Sequence, residues 1–263
     1  LAALEDRLAQ RLQEVTGGGV VVQVLERCDD DLAGDLNADD AIGGPRILAQ
    51  QRFHIGINDT LGNDPTGASF DSDAMLLFNA WAEQAGTGKL ESARLSIARG
   101  ERLFNQKPIN ISGVAGLNDA LGVANIAGTC TSCHNSPNVG NHSVALPLNI
   151  GLADASRRTP DMPLYTLRNK TSNAIATTTD PGLALITGKW KDIGRFKGPI
   201  LRGLAARAPY FHNGAAATLT ELVRLAGDGT AAHRFEAGFE QQFFEERVAD
   251  LDGRAFFESF FVE

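Results

Sequence analysis

Gly128-Thr129-Cys130-Thr131-Ser132-Cys133-His134-Asn135 carries a C-x-x-C-H run, and its reading decides how the rest of the chain is understood. Two thiols come from one short turn, and an imidazole follows directly. That is the arrangement of a c-type haem attachment site. Cys130 and Cys133 would add across the vinyl groups on one edge of the porphyrin, and His134 would serve the iron as proximal ligand. Two other chemistries use paired cysteines. A zinc ribbon needs a second C-x-x-C, whereas the only other cysteine here is Cys28. A redox dithiol has no requirement for His134 and usually sits between a strand and a helix. The expected cofactor is one covalently bound haem c, and Cys28 reads as a buried spectator.

Composition narrows the setting. The chain has 263 residues, 43% of them hydrophobic, enough for one large domain or two smaller ones. Covalent haem attachment takes place outside the cytoplasm, so a periplasmic or otherwise extracytoplasmic location is expected. Leu1–Val15 is amphipathic and charged rather than an apolar signal core, which suggests numbering from a mature chain. No run approaches the roughly twenty apolar residues of a membrane span. The net charge of −8 disfavours nucleic acid and suggests a redox partner protein with a basic docking face.

Two regions are expected: residues 1–88, partly helical and without a readable role, and residues 89–263, the haem domain. Leu1, Leu4, Leu8, Leu12 and Val15 recur at helical spacing, and Val20–Leu25 is strand-like. Residues 28–72 are rich in Asp, Gly and Asn and read as loop. A helix is expected from Ser72 or Asp73 to Gly86, and another from Glu91 to about Phe104. Thr218-Leu219-Thr220-Glu221 has the form of a capping box and should open a helix. Phe235 to Phe261 has aromatic residues at helical intervals. Gly86-Thr87-Gly88-Lys89 lacks the spacing of a phosphate-binding loop. Taken together, the pattern predicts a mostly α-helical, loop-rich cytochrome c-type haem domain behind a small N-terminal helical region.

The haem motif has company. "ARGERLFNQ" at 98–106 precedes it, and "FKGPILR" at 196–202, "PYFHNG" at 209–214 and "TLTELV" at 218–223 follow in order. Over roughly residues 92–235 this resembles the C-terminal haem domain of the bacterial di-haem cytochrome c peroxidase and MauG-type family. Two departures qualify what the resemblance implies. Members carry two haems, while this chain has one C-x-x-C-H, in the half that resembles the electron-relay domain. The family's sixth iron ligand, Met or Tyr, falls at Ala226, which cannot bind iron.

Other sixth ligands are open. Met162, in Asp161-Met162-Pro163, is one candidate, and His54 and His142 are others. His212 matches the family's histidine and reads as a hydrogen-bonding group at the haem edge. His233 reads as surface. Lys197 and Arg202 are candidates to pair with haem propionates, a solvated basic face being the alternative. Tyr210, Tyr165, Trp190 and Trp81 are either electron-hopping stations or core aromatics. The resemblance also implies calcium, bound in part through main-chain oxygens near Arg207 and Pro209. Asp29-Asp30-Asp31 and Asp35–Asp40 read as acidic solvated loop, because Arg46 stands where an EF-hand needs Glu. Two functions therefore compete: an electron carrier of the cytochrome c peroxidase/MauG-like group, working alone, in a homo-oligomer or beside a second haem-bearing chain, and a peroxidase- or oxidase-type enzyme with an open iron.

Overall fold

The computed structural model describes residues 49–83, 88–204, 207–219 and 221–222. The expected elements at 1–15, 20–25 and 235–261 lie outside them, as do Cys28, the acidic runs at 29–40, Ala226 and His233.

The expected helix after Gly88 is present as α1, Lys89–Gln106. Ala98, Glu101, Phe104 and Asn105 are all buried, and their spacing of three and four places them on one face. The helix stops where Lys107 turns extended ahead of Pro108, because a residue before proline is pushed out of the helical region.

Among the described residues of the segment expected as a helix over 72–86, no α-helix is formed. A five-residue 3-10 turn, Asn79–Glu83, is the regular structure there. The reason lies in side chains that take the backbone amides a helix would need. Asn105 Oδ1 accepts Met75 N–H at 3.1 Å, Asn138 Oδ1 accepts Leu76 N–H at 2.8 Å, and Glu101 accepts Phe78 N–H at 3.1 Å. Most of the large apolar residues still point inward, Leu76 being the exception. Met75, Leu77, Phe78 and Trp81 join Ala98 and Phe104 of α1, and Leu201, Leu204, Tyr210 and Leu219, in the larger core cluster.

Beyond α1 the chain forms a ribbon. Strands β1 (Ile109–Ser112) and β2 (Asn125–Gly128) pair antiparallel, with Ile109 opposite Gly128 and Ser112 opposite Asn125. Between them lies α2, Asn118–Leu121. Buried Asn118 shapes this connection, its Oδ1 accepting Val114 N–H at 2.9 Å and its Nδ2 donating to Ile111 O at 3.1 Å. Ile109, Ile111, Val114 and Leu117 make a second apolar cluster. A second antiparallel ribbon joins β3 (Tyr165–Arg168) to β4 (Ile175–Thr178), and α3 (Ala184–Thr187) follows.

These elements overturn the expectation of a mostly α fold. Among the described residues α1 is the one long helix, α2 and α3 span four residues each, and two small antiparallel sheets stand beside them. The physical cause is local. Asparagine, aspartate and threonine side chains, Asn118, Asp64 and Thr178 among them, satisfy backbone groups over short distances here, which favours turns and ribbons over helix. The helix begun at Leu219 is opened as expected: Thr218 Oγ1 accepts Glu221 N–H at 3.1 Å.

Candidate haem-attachment site

Strand β2 leads directly into the C-x-x-C-H run. Cys130–Ser132 form a 3-10 turn whose entry is capped reciprocally by Thr129 and Ser132. Cys133 N–H and His134 N–H both donate to Cys130 O, at 3.2 and 3.0 Å. Both sulfurs thus come from one turn, with the imidazole at its end. Gly128 is required at the entry: a Cβ there would stand 2.6 Å from Ser132 Oγ and 2.7 Å from Ile111 Cδ1.

The segment upstream of α1 clasps this turn. Thr60 Oγ1 donates to Ser132 O at 2.6 Å. Asn58 Nδ2 donates to Asn135 O, and Asn135 Nδ2 returns a bond to Asn58 O, each at 2.9 Å. Gly56 N–H reaches Ser143 O at 2.9 Å.

Electrostatics fit a haem better than a redox dithiol. Burial pushes the Cys130 thiol up to about 12, helped by the neighbouring Cys133, and burial pushes Cys133 up to about 11. A dithiol active in exchange needs the opposite, a stabilised thiolate. Burial also pulls His134 down to about 4, offset in part by the Gly140 main chain. The ring is therefore neutral, as an iron ligand must be. Its Nδ1 is buried without a partner at hydrogen-bonding geometry. Cys130 packs on the larger apolar cluster, Cys133 on the second, and the Phe104 ring lies 6.0 Å from that of His134. Two thiols on two apolar clusters, beside a neutral half-buried imidazole, suit a large planar apolar group held covalently.

Other residues singled out in the sequence fall in varied places. Lys197 and His142 come together, Lys197 Nζ lying 3.1 Å from His142 Nδ1. The His142 pKa is lowered by burial first and by Lys197 second. Arg202 Nη1 donates to Asn138 O at 3.4 Å, against the loop that follows His134. His54 Nε2 is 3.2 Å from Asp64 Oδ1. Bonds from Thr66, then Asn58 and His54, hold the Asp64 carboxyl well below the usual carboxylate range despite burial. Met162 is half-buried in a turn closed on Thr159 O at 3.2 Å, and no described contact joins it to His134. Residues 51–53, with Ser136, Pro137, Val139 and His142, line a cleft that runs next to the loop after His134.

Tyr210 is a core residue, its hydroxyl donating to Leu204 O at 3.1 Å. Trp81 is buried too, 4.7 Å from Phe78 and beneath Arg94. Tyr165 and Trp190 are exposed instead, so core packing does not account for them. His212 bonds through Nδ1 to the Asp180 carboxylate, and its ring lies 4.9 Å from that of Phe196. Asp180 was not foreseen. Its only sequence signal is Asp-Pro-Gly at 180–182, which reads as a turn. Arg207 Nη1 donates to Ile200 O at 2.8 Å. Among the described residues no group of three or more His, Cys, Asp or Glu side chains is placed to hold a metal ion, and no helix is long and apolar enough to cross a membrane.

No family model and no solved structure matches the chain. Curated proteins do. A cytochrome-c peroxidase IdrP2 of Pseudomonas sp. (strain SCT) is 32% identical over 104 residues, 38% of this chain and 28% of that protein. A cytochrome-c peroxidase IdrP1 of the same strain is 31% identical over 115 residues, 39% of this chain and 29% of its own length. A cytochrome-c peroxidase IdrP1 of Denitromonas iodatirespirans is 34% identical over 113 residues, again 39% and 29%. The chain thus spans under a third of these relatives. Over about two fifths of its own length, this C-x-x-C-H chain is distantly similar to cytochrome-c peroxidases.

Proposed function

We propose that the chain is an extracytoplasmic c-type haem protein that passes single electrons through a haem held by Cys130 and Cys133 and ligated by His134. The observation that carries this is the single capped turn presenting both sulfurs and a neutral imidazole. When bound, the haem supplies a one-electron redox couple set by its ligands and surroundings. The protein's own part is to hold the group, orient its ligand and control solvent access. Cys130 and Cys133 would hold the haem covalently through their sulfurs. His134 contributes its neutral ring. Phe104 and the two apolar clusters exclude water. Lys197 and Arg202, near the loop after His134, supply positive charge for propionates, and His212 a hydrogen-bonding group at the edge.

A second reading is an enzyme that turns over peroxide. Two observations favour it. The relatives are named cytochrome-c peroxidases. The candidate sixth ligands are also engaged elsewhere, His54 by Asp64 and His142 by Lys197, with Met162 in a separate turn. Optical spectra of the haem-loaded protein, before and after hydrogen peroxide, separate the readings. A low-spin ferric spectrum unmoved by peroxide is the expected result. A high-spin ferric spectrum that is altered by hydrogen peroxide would establish the second reading instead. Absence of covalent haem after expression in a host able to attach it would sink both.

A further inference from the structure

Leu185-Ile186-Thr187-Gly188-Lys189-Trp190-Lys191 is a run in which every residue is exposed. Ile186 stands 84% exposed, Leu185 70% and Trp190 37%. Side chains of this size normally find cover, so a contiguous apolar tip carrying a tryptophan marks an interaction surface. It contains two lysines and no acid. The next acidic residue, Asp192, is buried and accepts a bond from Thr187 Oγ1 at 2.8 Å.

The tip is held in shape. Gly188 closes α3 in the left-handed region at φ +64°, its N–H donating to Ala184 O at 2.9 Å. At the base, Leu183 N–H donates to Arg195 O at 2.9 Å and Gly194 N–H to Pro181 O at 3.1 Å. A preformed surface of this kind loses little entropy on docking. It is also linked to the attachment site. Phe196, next to Arg195, exchanges backbone bonds of 2.8 and 2.9 Å with Leu148, which packs in the cluster bearing Cys133.

We propose that this tip docks an acidic redox protein, with Leu185, Ile186 and Trp190 as the apolar centre and Lys189 and Lys191 as the cationic rim. This rests on the electron-transfer reading and supplies its partner. The chain's overall charge of −8 argues for a basic partner, yet docking follows the charge of the face itself, and the exposed run 185–191 carries two lysines and no acid. An apolar centre with a charged rim is the usual anatomy of such interfaces, and tryptophan is enriched among residues that dominate their binding energy. The rim steers encounter and makes it salt-dependent.

The test uses the haem-loaded chain and two probes of one fold and opposite charge: native mitochondrial cytochrome c, which is basic, and its lysine-succinylated derivative, which is acidic. Binding is followed by calorimetry and electron exchange by stopped flow, at low and high salt. The succinylated form should bind saturably at low salt. Lys189→Glu with Lys191→Glu should weaken that binding about tenfold or more, and Trp190→Ala by a similar factor. Amine footprinting of the free protein should label Lys189 and Lys191 readily.

Binding indifferent to these substitutions, or no binding of the acidic probe, overturns the proposal. So does shielding of the lysines, which would mean that another segment of this chain already covers the tip. Association of the tip with phosphatidylglycerol vesicles in place of the acidic probe would assign it to a membrane and overturn it as well. Docking without electron exchange would sink the redox reading and leave the docking site standing. Exchange untouched by the substitutions would do the reverse.

Discussion

Glu101 offers the sharpest test of the packing around the attachment site. It is fully buried on α1, and both its oxygens lie 3.1 Å from Phe78 N. Burial disfavours its charged form and raises its pKa from 4.5 to about 7, although backbone bonds from Phe78 and Leu77 pull the other way. Because folding raises this pKa, the contribution to stability is full below the unfolded value and is lost as pH rises through about 7. At about 1.36 kcal/mol per pH unit, the interval from 4.5 to 7 corresponds to about 3 kcal/mol. Glu101→Gln replaces the acid with a neutral group of the same shape that still accepts the Phe78 amide. Its unfolding free energy should lack this decline, so the variant gains on the wild type by about 3 kcal/mol between pH 4.5 and 8.5. Any constant penalty from the misplaced amide cancels in that difference. Urea denaturation of the haem-loaded proteins, followed by far-ultraviolet circular dichroism across this range, measures it. Parallel pH profiles for the two proteins would refute the argument.

Three further outcomes are expected. Cys133→Ala should leave a haem attached by one thioether, with the reduced pyridine haemochrome band moved to longer wavelength because one vinyl group stays conjugated. An unshifted band would remove Cys133 from the site. Gly140 sits at φ +92° with the Leu201 side chain 2.5 Å from where a Cβ would lie, so Gly140→Ala should cost about 1–3 kcal/mol in denaturant titration. A variant as stable as the wild type would show that Leu201 has room to yield. Asn58→Ala removes donors to Asp71 O and Asn135 O and an acceptor for Asp71 N–H. It should lose about 3 kcal/mol and expose residues 49–71 to protease first, because buried groups left without partners keep their desolvation penalty.

The attachment motif was legible because its chemistry is contiguous: Cys130, Cys133 and His134 must share a turn, and the turn shows in sequence. Helix α1 was legible from its apolar spacing. The segment at 72–86 was misread for a definite reason. Its apolar residues do repeat at a spacing a helix would bury, and Met75, Leu77, Phe78 and Trp81 are buried, but Glu101, Asn105 and Asn138 take its amides from places remote in sequence. No local propensity records that competition. The ribbon β3–β4 was missed although its signal was present: "YTLRNKTSNAIATT" at 165–178 carries threonines and branched residues around an Asn-Lys-Thr-Ser-Asn turn, in which Asn169 Oδ1 accepts Thr171 N–H at 2.9 Å. The Asp180–His212 pair spans 32 residues and leaves no trace in either neighbourhood.

The clasp between Asn58 and Asn135 joins residues 77 apart, and that between Thr60 and Ser132 residues 72 apart. The bonds that shape the Cys130–His134 turn are, in contrast, at most four residues long. Loop closure over long separations is slow and entropically costly, whereas a turn closes at once. The chain therefore has a built-in order of assembly. The thiols are presented on a finished turn while the upstream segment is still open, and the segment shuts over them last. Attachment chemistry would then meet an accessible motif, and closure afterwards would seal whatever had been attached.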